Sequence, residues 1–430
     1  MKSVGTPAEA RAVAPVVDPA PAVSRRRLPY PYRALLAISS DLDETPDRHV
    51  YRESMRFLNT TETTAMGPGL GLEVGNSIYF DMPPEQFSYW GTDDAGRAMV
   101  RTLIRSGHVD CLHSFGDLAT SRAHAGRALE ELSRHHCRLA VWVDHAVAPS
   151  NFGEDIMCGA GDVPGSDAYH ADLTCGFGVE YVWRGRVTSV IGQDIPRDLR
   201  GICGRRHPVA STRTLAKELA KGVLGRLGSP KYAMHGPNRV LRAERLRSGH
   251  RVSEFIRSNP YWGGVNRGET AVGLADVLVE PMLERLVERE GVCVLYTHLG
   301  KITHRDAPFG PRTRAALERL ARWSREGKVL VTTTRRLLGY CRATRQVTLR
   351  PSAERDGLRI DVTVAGESGQ PSLGLPDLEG LTVYVADPAR TRVLLDGREV
   401  TELRRNGPDH TGRRSVSVPW RPLEFPQLEA

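Results

Sequence analysis

Apolar residues fall along this chain in two rhythms. Up to about residue 345, short unbroken apolar runs alternate with stretches in which they recur every three or four positions. The runs predict strands over 34–40, 70–80, 108–113, 139–144, 178–184, 291–297 and 328–332. The helical spacing predicts helices over 94–106, 121–136, 276–289 and 312–326, with Ala125, Ala128, Leu129 and Leu132 on one face of the second. Helices between strands imply a parallel sheet with right-handed crossovers. The expected class is α/β: a distorted barrel of seven or eight (β/α) units over 29–345, carrying an insertion of uncertain structure around 195–258.

Beyond residue 345 the rhythm changes to period two. Gln346-Val347-Thr348-Leu349-Arg350, 358–364, 381–385 and 391–395 alternate, and Asp396-Gly397 signals a turn. Residues 346–430 therefore read as a small all-β, sandwich-like domain. Residues 1–28 are rich in Pro and Ala, hold few bulky apolar side chains and end in Arg25-Arg26-Arg27. They read as a disordered tail.

Composition narrows the setting. The seven cysteines include no Cys-x-x-Cys pair, and an odd number favours free thiols in a reducing compartment. Glu9, Arg11 and Asp18 interrupt what a signal peptide would keep apolar. No apolar run approaches the roughly 20 residues of a membrane helix, so a cytoplasmic location is expected. The net charge of +8 is uneven: 205–260 holds thirteen Lys or Arg against Glu218, Glu244 and Glu254. That is either a solvated face or a cradle for an anionic partner, such as a phosphorylated or uronic-acid-containing sugar. Nucleic acid is not expected, since no binding motif or stacking series accompanies the charge.

Three apolar runs deliver Asp or His where a strand should stop, the place where parallel α/β folds gather ligands and chemistry. The first ends in Ser39-Ser40-Asp41-Leu42-Asp43, the second in His113-Ser114-Phe115-Gly116-Asp117, the third in Leu295-Tyr296-Thr297-His298. Asp41 and Asp43 share a face of an extended chain, so one can bind a metal while the other takes a proton from water. Turn or helix-capping acids are the ordinary alternative, because Glu44, Thr45 and Pro46 follow. His113 and Asp117 suit a divalent ion, or a histidine satisfied within a turn.

In motif and order the chain resembles the polysaccharide deacetylase (NodB-homology) family, over roughly residues 33–345. The resemblance implies a distorted (β/α) barrel and a metal-dependent site. Asp41 is implied as the catalytic base and His298 as the catalytic acid. Asp43, His113 and Asp117 are implied as metal ligands. Asp117 stands where the family has a second His, which makes the site harder and less selective for Zn²⁺. Zn²⁺ is expected first, with Mn²⁺, Co²⁺ or Ni²⁺ as other ions. Val141-Trp142-Val143-Asp144-His145 stands near the place of the family's arginine motif, so Asp144 or His145 becomes a candidate substrate contact.

His170 and Asp172 lie in a Gly-rich setting and reach substrate only if their loop borders the site; a structural turn is the alternative. Tyr261 and Trp262 stack on a sugar ring or pack in the core. The resemblance implies removal of an acyl group, N-acetyl in the first instance, from a sugar or polysaccharide precursor. Hydrolysis of a glycosidic bond or a non-peptide amide remains open, as does carbohydrate binding without turnover.

Overall fold

Ala34–Ser40 is buried at all seven positions, as an unbroken apolar run is when both faces of a parallel sheet are covered. Its side chains alternate between two cores, Ala34, Leu36 and Ile38 facing one and Leu35 and Ala37 the other. The computed structural model describes residues 23–41, 45–146, 148–195, 208–260, 270–302, 304–365 and 374–428.

The Ala34–Ser40 strand is central to an eleven-stranded sheet. Along one direction follow Asn76–Ile78, Val109–His113, Val141–Val143, Tyr181–Trp183, Arg251–Phe255 and Leu241–Arg245. Along the other follow Val292–Thr297, Arg257–Ser258 and Val187–Thr188, while Val329–Val331 pairs with the start of Ala34–Ser40. Residues 251–258 meet the sheet twice, Ser253 opposite Tyr181 and Ser258 opposite Leu295. The sheet therefore curls into a barrel-like half-cylinder with helices around it. Leu337, Leu338 and Tyr340 of the helix Thr334–Gln346 pack against Leu35, Val141 and Val294 in the second core. Parallel pairing puts the carboxyl ends of the central strands on one rim.

Several expectations need amendment. The helix over 276–289 is two, Ala271–Val277 and Glu280–Glu288, because Pro281 is tolerated only in a first turn. The strand over 70–80 shrinks to Asn76–Ile78: Leu70, Leu72 and Val74 are buried, but the backbone N–H groups of Leu70, Gly71 and Leu72 bond the carbonyls of Phe57, Thr60 and Leu58 instead of a neighbouring strand, and Gly71 has a φ of 59°. The insertion around 195–258 is no excursion. Its strands Leu241–Arg245, Arg251–Phe255 and Arg257–Ser258 belong to the central sheet. Its helix Pro208–Arg226 buries Glu218 and exposes Leu219, Val223 and Leu224, the reverse of the usual pattern, so apolar spacing could not orient it.

Ser24–Arg26, expected in the disordered tail, is a strand paired with Thr382–Tyr384; residues 1–22 lie outside the described residues. It opens a four-stranded sheet completed by Ser415–Ser417 and Arg404–Asn406. A second four-stranded sheet holds Val347–Glu354, Gly357–Val364, Thr391–Leu395 and Arg398–Glu399. Ile360, Val362, Val383, Val393 and Val416 pack between them. Among the described residues, six cysteines are unpaired, and no helix is long and apolar enough to cross a membrane.

Candidate functional site

Asp41 is the first residue past its strand and is wholly buried. Ser77 Oγ donates to its Oδ1 at 2.9 Å. Its Oδ1 lies 3.6 Å from His113 Nδ1 and its Oδ2 3.4 Å from His298 Nε2. Oδ2 has no hydrogen-bond partner among the described residues. Burial alone would raise the Asp41 pKa; His113, His298, Arg257 and the Ser77 hydroxyl outweigh it and hold the carboxyl below its usual range. Burial pushes the His113 pKa down to about 4, so that imidazole is neutral at pH 7. With His113 neutral, His298, the permanent charge of Arg257 and the Ser77 hydrogen bond are what keep Asp41 ionised.

His113 continues the cluster on its other side. Its ring stacks on Tyr79 with centroids 4.1 Å apart. His113 Nε2 lies 3.2 Å from His145 Nδ1 and 3.3 Å from the Tyr79 hydroxyl, which is itself 2.7 Å from His145 Nδ1. His145 Nε2 meets Asp117 Oδ1 at 3.1 Å. Burial first, and His113 next, lower the His145 pKa to about 4. Asn151 pins the His145 turn, accepting from its backbone N–H at 3.0 Å and donating to its carbonyl at 3.1 Å.

The third flank holds His298, which ends Val292–Thr297, and Arg257. Tyr296 Oη lies 2.6 Å from His298 Nε2. The Arg257 guanidinium is sandwiched between Trp183 and Tyr296, 4.0 and 4.5 Å from their ring centroids, and donates to Ser39 Oγ at 2.6 Å. Its Nε and Nη1 are buried without a partner among the described residues.

The structure thus brings Asp41, His113, His145, Asp117 and His298 together. Asp117, expected to join His113 as a metal ligand, is half-exposed and turned to His145 instead. Asp43, Tyr261 and Trp262 lie outside the described residues. Asp144, a candidate substrate contact, is fully committed within the fold. It accepts from Trp142 Nε1, Phe152 N and Gly153 N at 2.6, 2.9 and 2.8 Å, and burial raises its pKa to about 7. His170 and Asp172 are structural as well. His170 contacts Thr174 Oγ1 and the Ser150 carbonyl, both at 2.8 Å, among Phe115, Trp142 and Phe152. Asp172 makes a two-pronged ion pair with Arg122.

Sequence reasoning missed Ser77, Tyr79, Arg257 and Tyr296. Ser77 and Tyr79 are two apart at a strand end and share a face, which could have flagged them. Arg257 sat in the presumed insertion, and no spacing marked it.

Two donors on a tetrahedral ion with bonds of about 2.0–2.1 Å lie about 3.3 Å apart. The facing nitrogens of His113 and His145 have that spacing, and their other nitrogens face Asp41 and Asp117, the carboxylate backing usual for metal-bound imidazoles. Both rings being neutral, the pair supplies two nitrogen donors. Among the described residues, no group of three or more His, Cys, Asp or Glu is placed to hold a metal ion. No protein-family model, curated protein or solved structure matches this chain.

Two structural predictions arise here. Ser114, Phe115 and Gly116 all have positive φ, 44°, 61° and 104°, in the turn that delivers Asp117. A Cβ at Gly116 would meet the Asp81 carbonyl oxygen at 2.1 Å. Gly116→Ala should cost at least about 2 kcal/mol through strain and overlap. An unchanged urea midpoint would refute the turn conformation.

His170 predicts an acid sensitivity. Burial lowers its pKa from 6.5 to about 4. Its contribution to stability is present above the unfolded value and is lost as pH falls from 6.5 towards 4. The loss should reach roughly 3 kcal/mol. Urea midpoints across that range should fall less steeply in His170→Gln; parallel curves would refute the assignment.

Proposed function

We propose that this chain is a metal-dependent hydrolase that removes an acyl group, N-acetyl in the first instance, from a sugar or polysaccharide precursor. The resemblance to polysaccharide deacetylases in motif and order supports the reaction class. The observation that carries the reading is the ionised, wholly buried Asp41 on the rim of the sheet, whose Oδ1 faces His113 and whose Oδ2, without a hydrogen bond among the described residues, lies 3.4 Å from His298 Nε2.

The chain's own residues divide the work. Asp41 Oδ2 takes a proton from the attacking water. His298, protonated at the start, gives its own proton to the departing amine or alcohol, and the water proton on Asp41 then passes to His298 Nε2, 3.4 Å away, to restore it. Tyr296 fixes the His298 ring, and Arg257 keeps Asp41 ionised in a dry setting. A divalent ion, Zn²⁺ or one of its neighbours, held by His113 with Asp43 and with His145 in the place expected of Asp117, would polarise the acyl carbonyl. The cationic 205–260 segment favours a substrate that carries negative charge.

Metal analysis of the purified protein, run beside an acetate-release screen over acetylated amino sugars and glycans, tests the proposal. Acetate release that follows metal content supports it. Stoichiometric metal with no acetate from any member of the screen overturns it.

A further inference from the structure

Arg26 and its two neighbours part company in the structure. Arg26 is buried and its Nε bonds Asp409 at 2.8 Å. Arg25 and Arg27 instead line a cavity of about 550 Å³ at the amino end of the Val292–Thr297 strand, with Arg239, Arg345, Asp194 and Tyr340. That end is roughly 17 Å from the rim that bears His298, at 3.3 Å per strand residue. The cavity is therefore separate from the candidate site.

Charge in the cavity is one-sided. Four arginines face one carboxylate among the described lining residues. That carboxylate is already engaged: Asp194 Oδ1 accepts from Arg345 Nη2 at 2.5 Å and from Val240 N at 3.0 Å. Glu290, the other acid acting on Arg27, is held by His410. Arg25 and Arg239 are exposed, and neither has an ion-pair partner among the described residues. Arg27 donates from Nη1 and Nη2 to the carbonyls of Asp194 and Arg289 at 3.2 and 3.3 Å, while its buried Nε has no partner. Tyr340 ties this arm down, donating to the Arg27 carbonyl at 3.2 Å.

We infer that this cavity is a second binding site, for a small ligand bearing a phosphate group. Guanidinium forks match phosphate oxygens two at a time, and a doubly charged anion would offset Arg25 and Arg239, the two cations without an ion-pair partner among the described residues. The volume lies within the usual range for small-ligand sites. The inference does not depend on the hydrolase reading.

Inorganic phosphate titrated calorimetrically into the full-length protein, with chloride balancing ionic strength, tests it. Expected is saturable binding of one phosphate per chain. The double variant Arg25→Gln/Arg239→Gln should weaken it at least tenfold, with melting temperature unchanged because neither guanidinium carries a fold contact. Arg350→Gln, an exposed arginine on another sheet, should bind as the parent does. Three outcomes would overturn the site: no saturation, equal affinity in the double variant, or an equal loss in Arg350→Gln.

Discussion

Asp41→Asn is expected to lower turnover by roughly 10²–10⁴-fold, the usual contribution of a general base, while bound metal stays at the parental level. The substitution keeps shape and the acceptor for Ser77 but removes the carboxylate that takes the proton from water. It also removes the counter-charge of Arg257, a fully buried cation. Leaving such a charge unpaired costs about 3–5 kcal/mol, so a lower melting temperature should accompany the kinetic loss. Three measurements on one variant separate the roles. Turnover lost with metal retained fits a base. Metal lost with turnover makes Asp41 a ligand and gives the base to another group. Full turnover in Asp41→Asn would remove Asp41 from the chemistry, whatever its effect on stability.

How far the chain could be read in advance depended on what each element used to fold. Ala34–Ser40, Val109–His113 and Val292–Thr297 are buried on both faces, so the apolar run itself marks the strand and its polar end marks the rim. Asp41, His113 and His298 were legible for that reason. The strands of 241–258 were not. Arg242, Glu244, Arg251, Glu254 and Arg257 interrupt them, and the structure accommodates these charges by pairing, as in Arg184 with Glu254 at 3.1 Å, or by stacking Arg257 on Trp183. A sequence shows the cost of such residues and hides the partner that offsets it.

The same limit explains Asp117 and His145. The i, i+4 spacing suggested that His113 and Asp117 meet directly. Three positive-φ residues between them send Asp117 outward instead, to the far side of His145. His145 then occupies the position next to His113 that spacing had given to the carboxylate. Positive φ at Ser114 and Phe115 is invisible in composition, because neither residue type prefers it.

His298→Ala should reduce turnover by a similar factor of roughly 10²–10⁴, leave metal content intact and remove the alkaline limb of the pH–rate profile. The motivation is geometric. His298 Nε2 lies 3.4 Å from the Asp41 oxygen that lacks another partner, and the Tyr296 hydroxyl meets the same nitrogen at 2.6 Å. A proton taken at Asp41 thus has a short path to the group that has given its own to the amine. The competing account makes His298 a packed strand-end residue. It is only 5% exposed, so truncation should lower stability under either account, and melting temperature alone decides nothing. The pH profile does decide, because an acid that must be protonated for turnover imposes an alkaline limb that vanishes with it. Tyr296→Phe supplies the control: it removes the hydroxyl that holds the ring and keeps the imidazole. It should cost less turnover than His298→Ala and keep the limb. An alkaline limb that survives in His298→Ala would assign the acid elsewhere and leave His298 a structural neighbour of Asp41.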